Sequence, residues 1–344
     1  MARGHVALFP LPFQGHLSPA LQLADALYGR GLAITVLHAT FNAPDPAAHP
    51  EFGFVAVADG GMPDAKDGIG KILAMNDAME ASGCVRDALA ALAPRPACLV
   101  IDTSLPAAQK AAAELDMPTV VLHTGSAAAI RLFRSYAMLH DKAYLPAQEH
   151  ELDKPVKELA PIRVSDLFDP SKYPNPEMAN RLLDTATEVT DNSSGVVINT
   201  FEALETPELE AIRSELAARA VVRWAPQQEV LGHRAVGGFW THSGWSWTLE
   251  GICEGVPMLC RPLFGDQLAN GRYVEEVWRT GALLVGKLER GKVEEAIARF
   301  MDGEDGAAMR ERAKELQIKA MEALSSAGST QLAVDKLIDH ILSL

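Results

Sequence analysis

The eleven residues Thr241–Gly251, THSGWSWTLEG, hold a histidine, two tryptophans, two serines, two glycines and a glutamate. An apolar run leads into them and helical spacing follows, so Thr241–Gly244 closes a strand and opens a helix. The free N–H groups and the positive end of a helix favour an anion at that point. Gly244 lets the backbone approach a phosphate closely, and His242 supplies a further donor. Taken alone, a strand–glycine–helix turn is more often structural than functional. A second histidine, His16, stands in FPLPFQGHLSPAL, between an apolar run and a helix. An imidazole with an ordinary pKa near 6.5 suits removal of a proton from a hydroxyl. An isolated loop histidine, though, is as simply a polar surface residue or a helix cap.

Such side chains need elements to hold them, and the first forty residues supply these. HVALFP (5–10) is a short apolar run, LSPALQLADALYGR (17–30) is apolar at helical spacing and stops at Gly31, and LAITVLHA (32–39) is apolar again. Strand, loop, helix and strand in so few residues form a βαβ unit, the building block of a parallel sheet. The pattern recurs at ACLVID (97–102), a helix near 106–115, and MPTVVLH (117–123). Residues 60–70 read as a loop, 140–175 as an irregular surface excursion, SSGVVINT (193–200) as a strand, and an acidic helix begins near Glu205. From Val221 the alternation resumes, with strands at 236–242, 256–263 and 282–286 and helices at 247–255 and 266–280. Helices then run to the end, broken at SSAGST (325–330). With 344 residues, more than one core usually supports, two α/β domains with a boundary within 200–222 are expected.

Lys and Arg number 31 against 45 Asp and Glu, a net charge of −14. That balance argues against nucleic acid or an anionic membrane as a partner. The four cysteines, Cys84, Cys98, Cys253 and Cys260, show no C-x-x-C pair and read as reduced, buried thiols. The first ten residues lack the apolar length of a signal peptide, and no run reaches 18 apolar residues. A cytoplasmic protein that spans no membrane is expected, and the sequon at Asn192 is read as coincidence. The acidic group His150, Glu151 and Asp153 reads as a solvated loop rather than a metal site.

Flanking the opening stretch are WAPQQEVLGHRAVGGF, from Trp224, and EGVPMLCRPLFGDQ, ending at Gln267. The 44 residues from Trp224 to Gln267 resemble, nearly letter for letter, the signature box of plant family 1 UDP-glycosyltransferases, which glucosylate small secondary metabolites. The rest of the chain resembles the same family, and AMLHDKAYLPAQEHELDKPV and NSSGVVINTFEALETPELEAI are similar to grass enzymes acting on benzoxazinoids. The resemblance implies a GT-B fold, with two Rossmann-like parallel-sheet domains facing a cleft. Residues 1–204 would bind the acceptor and 205–344 the UDP-sugar. His16 would be the catalytic base and Asp102, at a strand end, the carboxylate that orients it; read without the family, Asp102 is a cap of the helix near Pro106, a job that Thr103 or Ser104 could do equally well. Trp224 would stack on the uracil, Gln227 would help fix base and ribose, and Glu250 would accept from the ribose hydroxyls. His242, the backbone at Gly244 and Trp245, and Ser246 with Trp247 at the helix start would hold the diphosphate. Asp266 and Gln267 would bond the sugar, the Gln going with glucose. The implied reaction is a direct displacement with inversion, using no metal and no cofactor, on a small hydrophobic hydroxylated acceptor, by a monomer.

The chain departs from the family in two places. Ser246-Trp247 stand where members usually carry Asn-Ser, and Ser243 stands for a Cys. A tryptophan cannot act as a small hydroxyl, and its bulk crowds a helix start. The acidic helix also runs almost directly into VVRWAPQ. At about 30 residues per βαβ unit, two or more units, on the order of 60–100 residues, are missing from the start of the second domain. A shortened sheet should leave a strand edge and a helix face uncovered. The expected function is therefore glucosyl transfer from UDP-glucose, with activity in question. The alternative is a non-catalytic remnant that binds small molecules or a partner through its first domain.

Overall fold

Every apolar run of the first half becomes a strand of one parallel sheet in the computed structural model, which describes residues 4–58, 68–216, 220–223, 237–302 and 304–344. The order along the chain begins β1 (His5–Phe9), α1 (Gln14–Tyr28), β2 (Ala33–His38), β3 (Gly53–Ala56), α2 (Gly68–Ser82) and α3 (Cys84–Ala90). It continues with β4 (Cys98–Asp102), α4 (Pro106–Ala113), β5 (Thr119–His123), α5 (Ala127–Arg134), α6 (Tyr136–Asp141) and α7 (Pro176–Asp191). Then come β6 (Gly195–Ile198), α8 (Glu202–Glu215) and β7 (Ala220–Arg223). β1, β4 and β5 are buried along their whole length, as strands covered by helices on both faces must be. Between α1 and β2 the chain reverses through Gly31 at φ +88°, a conformation that glycine adopts without a steric cost.

The sheet runs β3-β2-β1-β4-β5-β6-β7, with all neighbours parallel. Its order reverses between β1 and β4. The carboxyl ends of these two strands therefore flank the switch point, the crevice where open α/β sheets bind ligands. The first sheet also takes a strand that the sequence reading gives to the second domain, since β7 pairs with β6 from Gly195↔Ala220 to Ile198↔Arg223. The free N–H and C=O row of β6 is a template for such an addition. The boundary at 204/205 falls inside α8, which bends at Glu205 (φ −133°, ψ 37°).

Among the described residues the second half holds three strands, β8 (Phe239–Thr241), β9 (Met258–Cys260) and β10 (Gly281–Leu283), in the order β10-β9-β8. Between them lie α9 (Trp245–Cys253) and α10 (Gln267–Arg272), the latter continued by a π-helical turn, Tyr273–Val277. After them follow α11 (Arg290–Asp302), α12 (Glu304–Leu324) and α13 (Ser329–Ser343). Among the described residues β8 has a strand neighbour on one side only, and Trp240 on it is 45 % exposed. This is the uncovered edge that a shortened sheet should show.

So small a sheet cannot bury its own faces, and it borrows a core. Trp245, Leu249, Met258, Tyr273 and Trp278 of the second half pack in one apolar cluster with Leu132, Tyr136, Leu145, Val156, Leu204 and others of the first. The irregular stretch 142–175 supplies part of that floor, as its apolar residues Val156, Leu159, Ile162, Val164 and Leu167 are buried. α13 returns to the first sheet, where Val334, Leu337, Ile338 and Ile341 pack with Val6, Leu8 and Leu27.

Polar contacts fix the docking. Trp245 Nε1 donates to the Asn199 carbonyl, Trp278 Nε1 to the Leu204 carbonyl at 3.1 Å, and the Tyr273 hydroxyl to Glu208 Oε1 at 2.6 Å. Arg272 holds Asp166 with two bonds, Nη2–Oδ1 at 3.0 Å and Nε–Oδ2 at 3.2 Å, and Asp166 is 2 % exposed. Removing one partner of such a buried pair leaves a charge unanswered. Asp166→Ala should therefore destabilise the protein by about 3 kcal/mol, the low end of the usual range, because Glu276 remains 3.2 Å from Arg272. The urea midpoint measures this, and an unchanged midpoint would show that the pair does not hold the halves together.

Candidate active site

The first βα turn leads into α1, of which His16 is the third residue, and β4 ends in Asp102. The neighbouring strands bring them together, with His16 Nδ1 2.7 Å from Asp102 Oδ2. The Thr124 hydroxyl lies 3.0 Å from the same nitrogen. Asp102 is 3 % exposed and also accepts from the Ser104 amide at 2.9 Å through Oδ1. That bond closes a local turn and does not cap α4, whose N-cap is Leu105 with no side-chain bond, so the carboxylate's other oxygen is left to orient the histidine. With Nδ1–H pointed at the carboxylate, Nε2 keeps its lone pair and is free to take a proton. Burial opposes the imidazolium, but the charge and hydrogen bond of Asp102, aided by Asp266, outweigh it and raise the His16 pKa above the ordinary value. Burial likewise works against the Asp102 carboxylate; the charge and hydrogen bond of His16, the Ser104 amide and the charge of His123 overcome it and hold its pKa down.

Several supporting residues carry no motif. Asn76 of α2 is 4 % exposed and donates to the Ser104 and Ile72 carbonyls, both at 2.9 Å, while its Oδ1 accepts from Ala107 at the start of α4. It pins the turn that follows Asp102. Glu205, fully buried, accepts from the amides of Ala127 and Ala128, both at 2.9 Å, and from Thr200 at 2.6 Å. It closes the N-terminus of α5, and burial pushes its carboxyl up to about 7 despite these donors. A run of alanines preceded by Ser126 is the one sequence hint of that helix start.

In the second half the THSG turn is built as a cradle. Ser243 takes φ +64°, and its amide is held by Thr241 Oγ1 at 3.0 Å. A Cβ on Gly244 would stand 2.5 Å from His242 Nε2, so only glycine lets that ring lie over the start of α9. No side chain caps α9, and the first-turn amides face the place where an anion would be held. Trp245 is 4 % exposed and belongs to the shared core, so its backbone rather than its ring borders the cradle. Ser246 is half-buried at the helix start. Trp247 is 48 % exposed, stacked on Phe239 at 5.7 Å and edge-on to His242 at 5.3 Å. Its bulk therefore covers one side of His242 instead of pressing into the core. Glu250 is partly buried one turn further on, and burial raises its pKa.

Asp266 precedes α10. Its Oδ2 accepts from Asn270 Nδ2 at 2.9 Å, and burial raises its pKa against the charges of His16 and His242. The acid thus feels a histidine from each half. Asn270 ties the halves further, since its amide reaches the Ser243 carbonyl at 3.0 Å and its Oδ1 accepts from Ser126 Oγ at 3.0 Å. Gln267 is placed otherwise than its expected sugar contact suggests. It is 5 % exposed, and its Oε1 accepts from the amides of Leu263 and Phe264 at 2.8 and 3.2 Å, leaving only its NH₂ for a ligand. Trp224 and Gln227 lie outside the described residues. His16, Asp102, His242 and Asp266 are therefore brought to one place, while Gln267 mainly shapes its own loop. Glu151 pairs with Lys154 at 2.9 Å, as a solvated loop would. The described groups with metal-ligand chemistry within mutual reach are Asp25, His49 and Glu51, at the far end of α1 and before β3.

Residues 195–313 match the family model described as UDP-glucoronosyl and UDP-glucosyl transferase. UDP-glycosyltransferase 76F2 of Arabidopsis thaliana is 31 % identical over 450 residues, covering 98 % of this chain and 97 % of that protein. The DIMBOA UDP-glucosyltransferase BX8 of Zea mays is 34 % identical over 444 residues, covering 95 % and 96 %. Alignments of that length against a chain of 344 leave more than a hundred positions without a counterpart here. Among solved structures, Phytolacca americana UGT2 complexed with UDP-2fluoro-glucose and pterostilbene superposes with a TM-score of 0.84 at 18 % identity, covering 98 % of this chain and 99 % of that one. A fold of that kind, a signature box in register, and relatives above 30 % identity along nearly the whole chain place this protein in the UDP-glycosyltransferase family.

Proposed function

We propose that the protein transfers glucose from UDP-glucose to a hydroxyl of a small plant metabolite. The observation that carries the reading is the His16–Asp102 dyad at the switch point, with Asp266 of the second half close enough to act on His16 and on His242. His16 Nε2 accepts the acceptor's proton. The acceptor oxygen then attacks the anomeric carbon from the face opposite the diphosphate, the C–O bond to UDP breaks, and a β-glucoside results. Asp102 stabilises the imidazolium, as the orienting acid of a triad does. His242 and the first-turn amides of α9 meet the charge that builds on the leaving diphosphate, so the displacement asks for no metal.

Glu250 has no competing partner recorded among the described residues and suits the ribose hydroxyls. Phenols and hydroxamates are the acceptor classes to try first, given the maize relatives named for DIMBOA. The reading includes a monomer working in the cytoplasm without a resident cofactor. No helix among the described residues is long and apolar enough to cross a membrane. A remnant that binds only through its first half is disfavoured by the single apolar cluster joining the halves.

UDP release from UDP-glucose with a panel of phenolic and hydroxamate acceptors is the direct assay. His16→Ala should reduce it by about 10²–10⁴-fold, the usual worth of a general base. Equal turnover by the variant would remove His16 from the chemistry.

The acid limb of kcat/KM should lie above pH 6.5, because the base works only when neutral and its pKa is raised. Asp102→Asn takes away the charge that raises it. The limb should then move to lower pH while the plateau rate falls. A limb that stays in place would show that Asp102 does not set the proton affinity of His16.

The double change Ser246→Asn with Trp247→Ser restores two small polar groups at the start of α9. UDP affinity should rise by about tenfold, the value of one hydrogen bond to a charged group. Calorimetric titration reads this, and an unchanged affinity would mean that the helix start does not contact the phosphates.

A further inference from the structure

Glu205 sits at the bend of α8 with no exposed surface, and its carboxyl group serves a helix start that is distant in sequence. Each oxygen takes one amide of α5: Oε2 accepts from Ala127 and Oε1 from Ala128, both at 2.9 Å. The Thr200 hydroxyl holds Oε2 from a third side at 2.6 Å. The next amide, that of Ala129, goes to Ser126 Oγ at 3.0 Å. A serine is by itself a good cap for a helix. A carboxyl group taken out of water adds a free-energy cost, so the tether calls for a reason beyond helix formation.

The reason lies just upstream of α5. Thr124, Gly125 and Ser126 alone separate the end of β5 from that helix. Thr124 Oγ1 is 3.0 Å from His16 Nδ1. Ser126 Oγ donates to Asn270 Oδ1 at 3.0 Å, and Asn270 Nδ2 donates to Asp266 Oδ2 at 2.9 Å. Three residues leave little slack, so the place of the α5 start decides where both hydroxyls stand. Pairing of β5 with β4 and β6 fixes one end of this connection, and Glu205 fixes the other. The same stretch of α8 also seats the second half, since the Leu204 carbonyl accepts from Trp278 Nε1 at 3.1 Å and Glu208 accepts from the Tyr273 hydroxyl at 2.6 Å. The docking of the second half and the loop beside His16 therefore meet at Glu205.

We propose that Glu205 is a positioning residue for the transfer reaction. From the bend of α8 it fixes the start of α5, and so seats Thr124 against His16 and Ser126 against Asn270, which holds Asp266. It touches neither substrate and acts through the backbone of Ala127 and Ala128. The proposal rests on the glycosyl-transfer reading and adds to it a residue that aligns the base of one half with the acid of the other.

Turnover of the full chain, measured as UDP release per folded molecule well below its thermal transition, tests this beside calorimetric UDP binding. Glu205→Gln keeps the size of the side chain but offers one acceptor oxygen where two amides ask for one each. Its kcat should fall by about tenfold to a hundredfold, the upper figure being the cost of a misplacement of about 1 Å, while UDP affinity stays within about twofold. Ser126→Ala should lower kcat as well, and the double variant should lose little more than the worse single one, because both act through one helix start. Thr200→Val leaves Glu205 in place and removes one of its donors; kcat should then fall by about threefold to tenfold, the worth of one hydrogen bond. That variant decides the matter if Glu205→Gln does not fold. A mere helix cap would lower the unfolding midpoint and leave kcat per folded molecule unchanged. That result, or losses that multiply in the double variant, would overturn the proposal, while turnover by the wild type keeps the transferase reading standing. A folded wild type that releases no UDP with any acceptor would overturn that reading, and this one with it.

Discussion

A three-stranded parallel sheet with two short helices cannot close a core of its own, and that constraint governs this molecule. More than a hundred positions of its relatives have no counterpart here. The second half is instead completed by the first. Indoles of Trp245 and Trp278 donate into carbonyls at the ends of β6 and the start of α8, Arg272 holds Asp166, and the apolar cluster runs unbroken between the halves. The residues at the starts of α9 and α10 are thereby held against the His16–Asp102 dyad by packing.

The same contacts organise the chemistry. Asn270, one turn after Asp266, ties the acid, the Ser243 carbonyl of the THSG turn and the Ser126 cap of α5 into one network. Ser126 in turn stands three residues beyond His123 and two beyond Thr124, which touches His16. A change that loosens the docking should therefore reach His16 through short, buried links. The low exposure of Asp102 gives its charge leverage on His16, and the neutrality of His123 keeps a second cation from forming beside it.

Much of this was legible in the sequence. The strands of the first sheet, the final helices and the break between them follow from apolar periodicity, and His16, Asp102, His242 and Asp266 follow from the resemblance to the family. Other features were not legible. Residues 220–223 fall within the second domain by sequence, where no strand is expected before 236, yet they pair as β7 with β6, because a lone strand goes where an edge is free. Gln267 reads as a sugar ligand, yet its carbonyl is taken by the amides of its own loop, a local contact with no periodic signal. Asn76 and Glu205 each act through a fold contact far away in sequence. Trp247 was visible as an anomaly, but only the structure puts it outward, stacked on Phe239.

The central claim is that the shortened second half forms one unit with the first and still offers a UDP site. Thermal unfolding followed in rising UDP tests both parts together, because a ligand that binds only the folded state raises the transition with its concentration. The account predicts a single cooperative transition that climbs steadily as UDP is added. Two separate transitions, or one that UDP leaves unmoved in a folded protein, would contradict it.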